Sequence, residues 1–391
     1  MLTALLNARV LTPDEDLAGA TVVVRDGRIE AVGVGLTPPA SAQTFDLAGL
    51  TLAPGFIDIH VHGGGGFSLI SEDPEEIRSY ARWVVSRGVT GFLVTLVGAS
   101  LSQMKRWLAA AAAAGEGLPA GQAGVDATAA RLIGVHLEGP FVNPARRGAL
   151  PAEGLRPPDV AEFLALAEAA QGRLKIITLA PELPGAADIV AAARQRGVVV
   201  SMGHTDATYE QALEAIEWGV QQATHCFNGM RPFHHRDPGC LGAILSSPRL
   251  SAELIADGVH VHPGTMALLL AAKGPQGTIL VTDGITAAGL ADGVYSLAGE
   301  AIQVQSGVTS LPDGTLAGSV ATMDQTLRNI VQLGLAPLGE AVRMASTNPA
   351  AALGLGQRLG RIAPGFAADL VALDERLEVA MTFVGGQPVH E

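Results

Sequence analysis

Cysteine is scarce in this chain: Cys226 and Cys240 are the only two among 391 residues. They lack CxxC spacing, so neither a thiolate zinc site nor a disulfide framework is indicated, and both read as small buried hydrophobes. Basic charge is short as well. Lys and Arg number 25 against 38 Asp and Glu, for a net charge of −13. A nucleic-acid binder gathers Lys and Arg into a basic face, which argues against that class and requires any phosphate on a ligand to be captured locally. No apolar run approaches the roughly 20 residues needed to cross a bilayer. The opening MLTALLNARVLTP has no basic stretch followed by a long apolar one, so a soluble cytoplasmic protein is the expectation. Repeats of fixed period are absent too. What remains is 48% hydrophobic and 16% charged, with 48 glycines spread along the chain, which describes an ordered globular protein with a large core. The length suits a barrel of roughly 250 residues or more plus an accessory module.

Near the N-terminus, ATVVVRDGRIEAVG (Ala20 to Gly33) places two strand-like runs around an Asp-Gly pair, a hairpin signal. GRIAPGFAADLVALD (Gly360 to Asp374) is a similar alternation near the other end, so the termini are expected to pair into one small β domain. Between them apolar runs alternate with helix-like stretches, the pattern of βα units. Eight strands are predicted near Gly55 to His60, Gly91 to Leu96, Leu132 to Leu137, Lys175 to Leu179, Val198 to Met202, Gln222 to Cys226, Ala252 to Ala256 and Thr278 to Thr282. Helices are expected over Pro74 to Gly88 and Ala207 to Gly219, with Pro or acids at the start and Gly at the stop. The predicted fold is α/β: a (β/α)8 TIM barrel over residues 55–355, with a small β-sandwich domain assembled from residues 1–54 and 356–391.

In such a barrel, chemistry collects at the C-terminal ends of the strands. His60 and His62 close the first strand, two apart and so on one side of an extended chain. Glu138 ends the third strand, His204 the fifth, His225 the sixth and Asp283 the eighth. One strand histidine is as readily a hydrogen-bonded core residue as a ligand, but the whole set at one rim points to metal. Imidazole and carboxylate ligands suit zinc or another borderline divalent ion. Glu138, His204 and His225 are the minimal triad; His60 and His62, with Asp283, are candidates for a second ion bridged by Glu138, so one or two ions remain open. His136 shares the face of Glu138 but lies deeper and reads as a supporting or core group. His234, His235 and His262 fall on expected loops, and His390 in the tail.

GFIDIHVHG, LEGPF, GHTDA, THCFNGM, IADGVHV, VTDG and TLAGS occur in this order. Together they resemble the amidohydrolase superfamily and, within it, the N-acetylglucosamine-6-phosphate deacetylase family, over nearly the whole chain. That resemblance implies metal-dependent removal of an acetyl group from an amino-sugar phosphate, with Glu138, His204 and His225 as metal ligands and Asp283 as the catalytic acid and base. It places Asn228, Gly229, Arg236 and His260 near the sugar phosphate, and His235, Asp257, Ala149, Leu150, Leu316, Ala317 and Gly318 along the substrate pocket. It also implies a homodimer in which Arg236 reaches the neighbouring site. Arg236 would offer a planar fork to phosphate oxygens; as an alternative it is an ordinary surface arginine. Leu150 stands where relatives often carry histidine, so one polar contact to substrate is expected to be missing or replaced. Two other readings stay open: a superfamily relative that opens cyclic amides or deaminates bases, and a non-enzymatic scaffold on a decayed barrel. The absence of a lysine at the end of strand four, LAPE, weighs against the cyclic amidase.

Overall fold

Asp26 and Gly27 both adopt positive φ, 50° and 79°, the conformation that a two-residue type I′ turn requires. They join Asp16–Arg25 to Arg28–Val34, which pair antiparallel with Arg25 opposite Arg28. This hairpin is part of an eight-stranded sheet built from both ends of the chain: Leu2–Leu11 lies between Asp16–Arg25 and Thr51–Pro54 and also pairs with Gln43–Asp46, and Leu370–Leu373, Val379–Val384 and Gln387–His390 complete it. Its apolar face encloses a core of its own around Leu5, Val22, Ile29, Leu52, Leu370 and Phe383. The computed structural model describes residues 1–118, 128–297 and 300–391.

The second sheet is parallel and holds Phe56–Asp58, Val89–Val97, Arg131–Glu138, Leu174–Leu179, Val199–Met202, Gln222–Ala223, Ser251–Ile255 and Thr278–Val281, each hydrogen-bonded to the next in chain order. A helix follows every strand; the first two are Pro74–Val84 and Leu101–Glu116, and the last is Met323–Gln332. Local chemistry explains their ends. Asp73 caps Pro74–Val84 by accepting from the Glu75 amide, and Tyr209–Trp218 begins at a reciprocal Thr208 and Gln211 capping box and stops at Gly219, φ 109°. This is the (β/α)8 barrel expected from the alternation of apolar runs, with the strands of both termini forming the accessory sheet.

Closure of the barrel occurs just past the ends of its first and eighth strands. The Asp283 amide donates to the His60 carbonyl (2.9 Å) and the His62 amide to the Gly284 carbonyl (2.7 Å), with Val61 and Gly284 forming a parallel bridge. Below them the Asp58 carboxylate spans the same seam, accepting from the Thr282 hydroxyl at 2.6 Å and the His60 amide at 3.3 Å. Burial pushes the Asp58 carboxyl up to about 7, against those hydrogen bonds.

Candidate metal centre

Several rim residues sit in backbone conformations that L side chains rarely adopt. His204, His225 and Asp283 have φ of 48°, 28° and 49°, each costing on the order of 1–3 kcal/mol and persisting only where the surroundings over-determine it. All three turn out of their strands in this way and face one point.

Around that point four imidazoles aim Nε2 inward. His204 Nε2 and His225 Nε2 each lie 3.0 Å from Glu138 Oε1 and 3.0 Å from one another. His62 Nε2 is 3.3 Å from Glu138 Oε2 and 3.2 Å from Asp283 Oδ1, and His60 Nε2 is 3.4 Å from Glu138 Oε1. Glu138 therefore stands between the two histidine pairs, with Oε1 meeting His204, His225 and His60, and Oε2 meeting His62. For three of the four rings the opposite nitrogen explains the orientation; the fourth, His225, is held through its main-chain amide. His204 Nδ1 donates to the Arg146 carbonyl (2.9 Å), His62 Nδ1 to the Thr95 carbonyl (3.1 Å) and His60 Nδ1 to Glu253 (2.9 Å). A ring that donates through Nδ1 presents a lone pair at Nε2, the atom a metal takes.

The electrostatics are those of buried acids facing buried imidazoles. Burial would lower the basicity of His62, but Asp283 and Glu138 outweigh it and raise the ring to about 9. His60 is raised in the same way by Glu138 and Glu253. Burial likewise works against the charges of Glu138 and Asp283, and the neighbouring imidazoles hold both carboxyls below the usual range. His60 Nε2 is buried with no hydrogen-bond partner, and three inward lone-pair atoms, from Glu138, His204 and His225, meet within hydrogen-bonding distance. Such a set is balanced by a divalent cation better than by shared protons, so the residues fit a metal ion. Two overlapping groups, His60 with His62 and Glu138, and Glu138 with His204 and His225, have the spacing to hold one.

The rim opens into a cavity of about 310 Å³. Its walls include His62, Glu138, His204, His225 and Asp283, and also Ala149, Leu150, Asn228, Gly229, His260, Leu316 and Gly318. Gly229 has φ 58°, and a Cβ there would come within 2.9 Å of His204 Nδ1, so only glycine lets this backbone edge the cavity. His260 Nδ1 donates to Asp257 Oδ2 at 2.7 Å. Asp257, Ala317, His235 and Arg236 do not line the cavity; Arg236 is exposed, with His235 beside its guanidinium at 2.8 Å.

Elsewhere, His136 is a core group. Its Nε2 meets the Thr178 hydroxyl at 2.8 Å and its Nδ1 the Ile59 carbonyl at 3.2 Å, and burial together with His60 lowers its pKa to about 3. His262 caps Pro263–Lys273, and His234 is exposed. Sequence reasoning missed Glu253, which carried a signal, an acid inside the apolar run SAELIA, and it missed Val97, Ile302 and Leu311, which line the cavity and carried none.

A family model described as "Amidohydrolase family" matches residues 51–389. The N-acetylglucosamine-6-phosphate deacetylase of Lysinibacillus sphaericus is 37% identical, over 94% of this chain and 92% of that protein. The N-acetylgalactosamine-6-phosphate deacetylase of Escherichia coli O157:H7 is also 37% identical, over 99% of both. Among solved structures, the N-acetyl-D-glucosamine-6-phosphate deacetylase of Mycobacterium smegmatis, in complex with N-acetyl-D-glucosamine-6-phosphate, superimposes with a TM-score of 0.92 at 36% identity over the full length of both chains. With its barrel, its rim of histidines and acids and these full-length likenesses, the chain belongs to the amidohydrolase family.

Proposed function

We propose that the protein removes the acetyl group of N-acetylglucosamine 6-phosphate by metal-dependent hydrolysis, giving glucosamine 6-phosphate and acetate in amino-sugar catabolism. The observation that carries this reading is the meeting of Glu138 Oε1, His204 Nε2 and His225 Nε2 at 3.0 Å, with Asp283 beside them. Glu138, His204 and His225 would hold one ion, and His60 and His62 a second that shares Glu138. The imidazole and carboxylate set suits zinc. A divalent ion held there polarises the acetamide carbonyl and brings the pKa of water down to about 7.

The remaining chemistry belongs to side chains. Asp283, kept ionised by the imidazoles that face it, accepts a proton at Oδ1 from the attacking water and returns it to the departing amine nitrogen. Water adds to the carbonyl carbon, the C–N bond breaks, and acetate and the free amine leave. His260, made more basic by Asp257, offers the sugar phosphate a cation, with Asn228 and the Gly229 backbone beside it. Ala149, Leu150, Leu316 and Gly318 shape the acyl and ring side of the pocket, where Leu150 supplies no polar contact.

No Lys or Arg lines the cavity among the described residues, so capture of a phosphate calls for a guanidinium from outside it. Arg236 of a second subunit fits that need, which is the argument for a homodimer. With two free, buried cysteines, the chain suits a reducing compartment such as the cytoplasm, and no helix among the described residues is long and apolar enough to cross a membrane. We further propose residues 55–355 as the catalytic domain, flanked by 1–54 and 356–391.

One assay tests the reading: acetate release from N-acetylglucosamine 6-phosphate, with and without prior chelation, beside N-acetylgalactosamine 6-phosphate. Release that chelation abolishes and zinc restores supports it. No release above the chelated control overturns it, and a preference for the galacto epimer reassigns the substrate to that of the Escherichia coli relative.

A further inference from the structure

Glu253 lies on the seventh barrel strand, Ser251–Ile255. It is two residues before Ile255, which packs inside the barrel with Ile57, Ile59 and Val281. Its side chain is completely buried, and the reaction described above makes no use of it. A carboxylate taken out of water costs several kcal/mol unless donors compensate it, so the identity of those donors points to its role.

Three donors converge on it. His60 Nδ1 donates to Oε2 at 2.9 Å, the His225 amide donates to Oε2 at 3.0 Å, and Gln222 Nε2 donates to Oε1 at 2.6 Å. The first is the far side of a ring whose Nε2 looks into the metal centre. The second is the main chain of another inward histidine, in a left-handed conformation that needs holding. One oxygen of the acid, Oε2, thus serves a histidine of each pair at once, while Gln222 holds Oε1.

We propose that Glu253 is a positioning residue for the metal centre: it fixes His60 with its proton on Nδ1 and its lone pair on Nε2, and pins the backbone of His225. The inference rests on the metal-centre reading. His60, His136 and Glu253 also have the spacing of a metal-holding group of their own. That use is excluded because both nitrogens of His136 are engaged by Thr178 and Ile59, and His60 Nδ1 is engaged by Glu253 itself. The trio is a hydrogen-bonded support beneath the rim.

The test is a Co²⁺ titration of chelator-treated full-length protein, read by visible absorption and by metal counted per chain, with thermal unfolding recorded in parallel. Glu253→Gln keeps the shape but offers a single acceptor oxygen to three donors, and its amide favours the wrong tautomer of His60. Uptake of Co²⁺ should weaken on the order of 10- to 100-fold, the usual scale for a group that orients a ligand. His60→Asn should weaken it comparably, and the double variant should lose less than the two single losses combined, since the His60 interaction is common to both changes and only the hold on the His225 backbone is left for Glu253→Gln to remove. If Glu253→Gln does not fold, Glu253→Asp, which keeps the charge but withdraws Oε2 by one methylene, carries the same comparison. Wild-type affinity in the folded variant, or losses that simply add in the double variant, would overturn the proposal. Failure of the wild type to take up Co²⁺ would remove the metal-centre reading itself.

Discussion

Asp283 Oδ1 lies 3.2 Å from His62 Nε2, across the seam where the eighth strand meets the first. Burial alone would favour the neutral form of Asp283, but the charge of His60 and this contact with His62 keep it ionised, and therefore able to receive a proton at neutral pH. Asparagine at this position has nearly the same shape and no basic oxygen. Asp283→Asn should lower kcat on the order of 10²-fold or more while metal content, counted by mass spectrometry, stays at the wild-type level. Turnover within a few-fold of wild type would remove Asp283 from its role.

Glu138 is the one acid placed between both histidine pairs. Glu138→Ala should lose most of its bound metal and its activity together, and added zinc should restore neither, whereas zinc should restore chelated wild-type protein. Retention of metal by the variant would mean that the histidines alone hold it.

Arg236 makes no contact with the cavity of its own subunit, which leads to a prediction about subunits as well as about affinity. Arg236→Ala should raise KM for the phosphorylated substrate roughly 10- to 100-fold, the equivalent of about 1.5–3 kcal/mol for hydrogen bonds to a charged group. It should leave unphosphorylated N-acetylglucosamine unaffected. Mixing Arg236→Ala with Asp283→Asn should regain activity, because a mixed dimer would contain one site with Asp283 from the first subunit and Arg236 from the second. No regain on mixing, with exchange of subunits verified, would place Arg236 in its own site or in none.

Asp257 sets the pH range over which His260 carries charge. Burial lowers the basicity of the ring, but the hydrogen bond and charge of Asp257 outweigh it, and Asp283 adds to the same direction. A raised imidazole pKa keeps the cation above the ordinary value of about 6.5. KM for the sugar phosphate should therefore be lowest below the raised pKa and climb as pH passes through it. The stability contributed by the His260 and Asp257 pair follows the same sign: complete below about 6.5 and lost as pH rises through the folded-state value. Asp257→Asn should move the climb in KM to lower pH, followed by kinetics and by NMR titration of the ring. An unchanged profile would dissociate His260 from phosphate.

Much of this was legible in the chain itself. The eight strands fall where apolar runs end in turn residues, and the rim residues were found because a barrel puts strand ends together. Alternation along an extended strand was the reason offered for pairing His60 with His62, yet that strand stops at Asp58. The rings converge because their backbones are bonded to Asp283 and Gly284, a tertiary cause that no local pattern announces. The part of the cavity wall around Ile302 and Leu311, in the excursion after strand eight, was invisible for the same reason. Arg236 shows the limit in the other direction, since a motif names the residue but cannot say whose site it serves.

The link from Asp283 to His60 and from His62 to Gly284 has one more consequence. The last stave of the ring is fastened to the first through the main chain of His60, His62, Asp283 and Gly284, three of which present side chains at the rim, so the hoop and that edge share their knots. Insertions or backbone shifts there would loosen the whole cylinder. Divergence toward new substrates is therefore expected to proceed through the outer part of the excursion that follows this seam, around Ile302 and Leu311, where wall residues can be exchanged while the fastening stays intact.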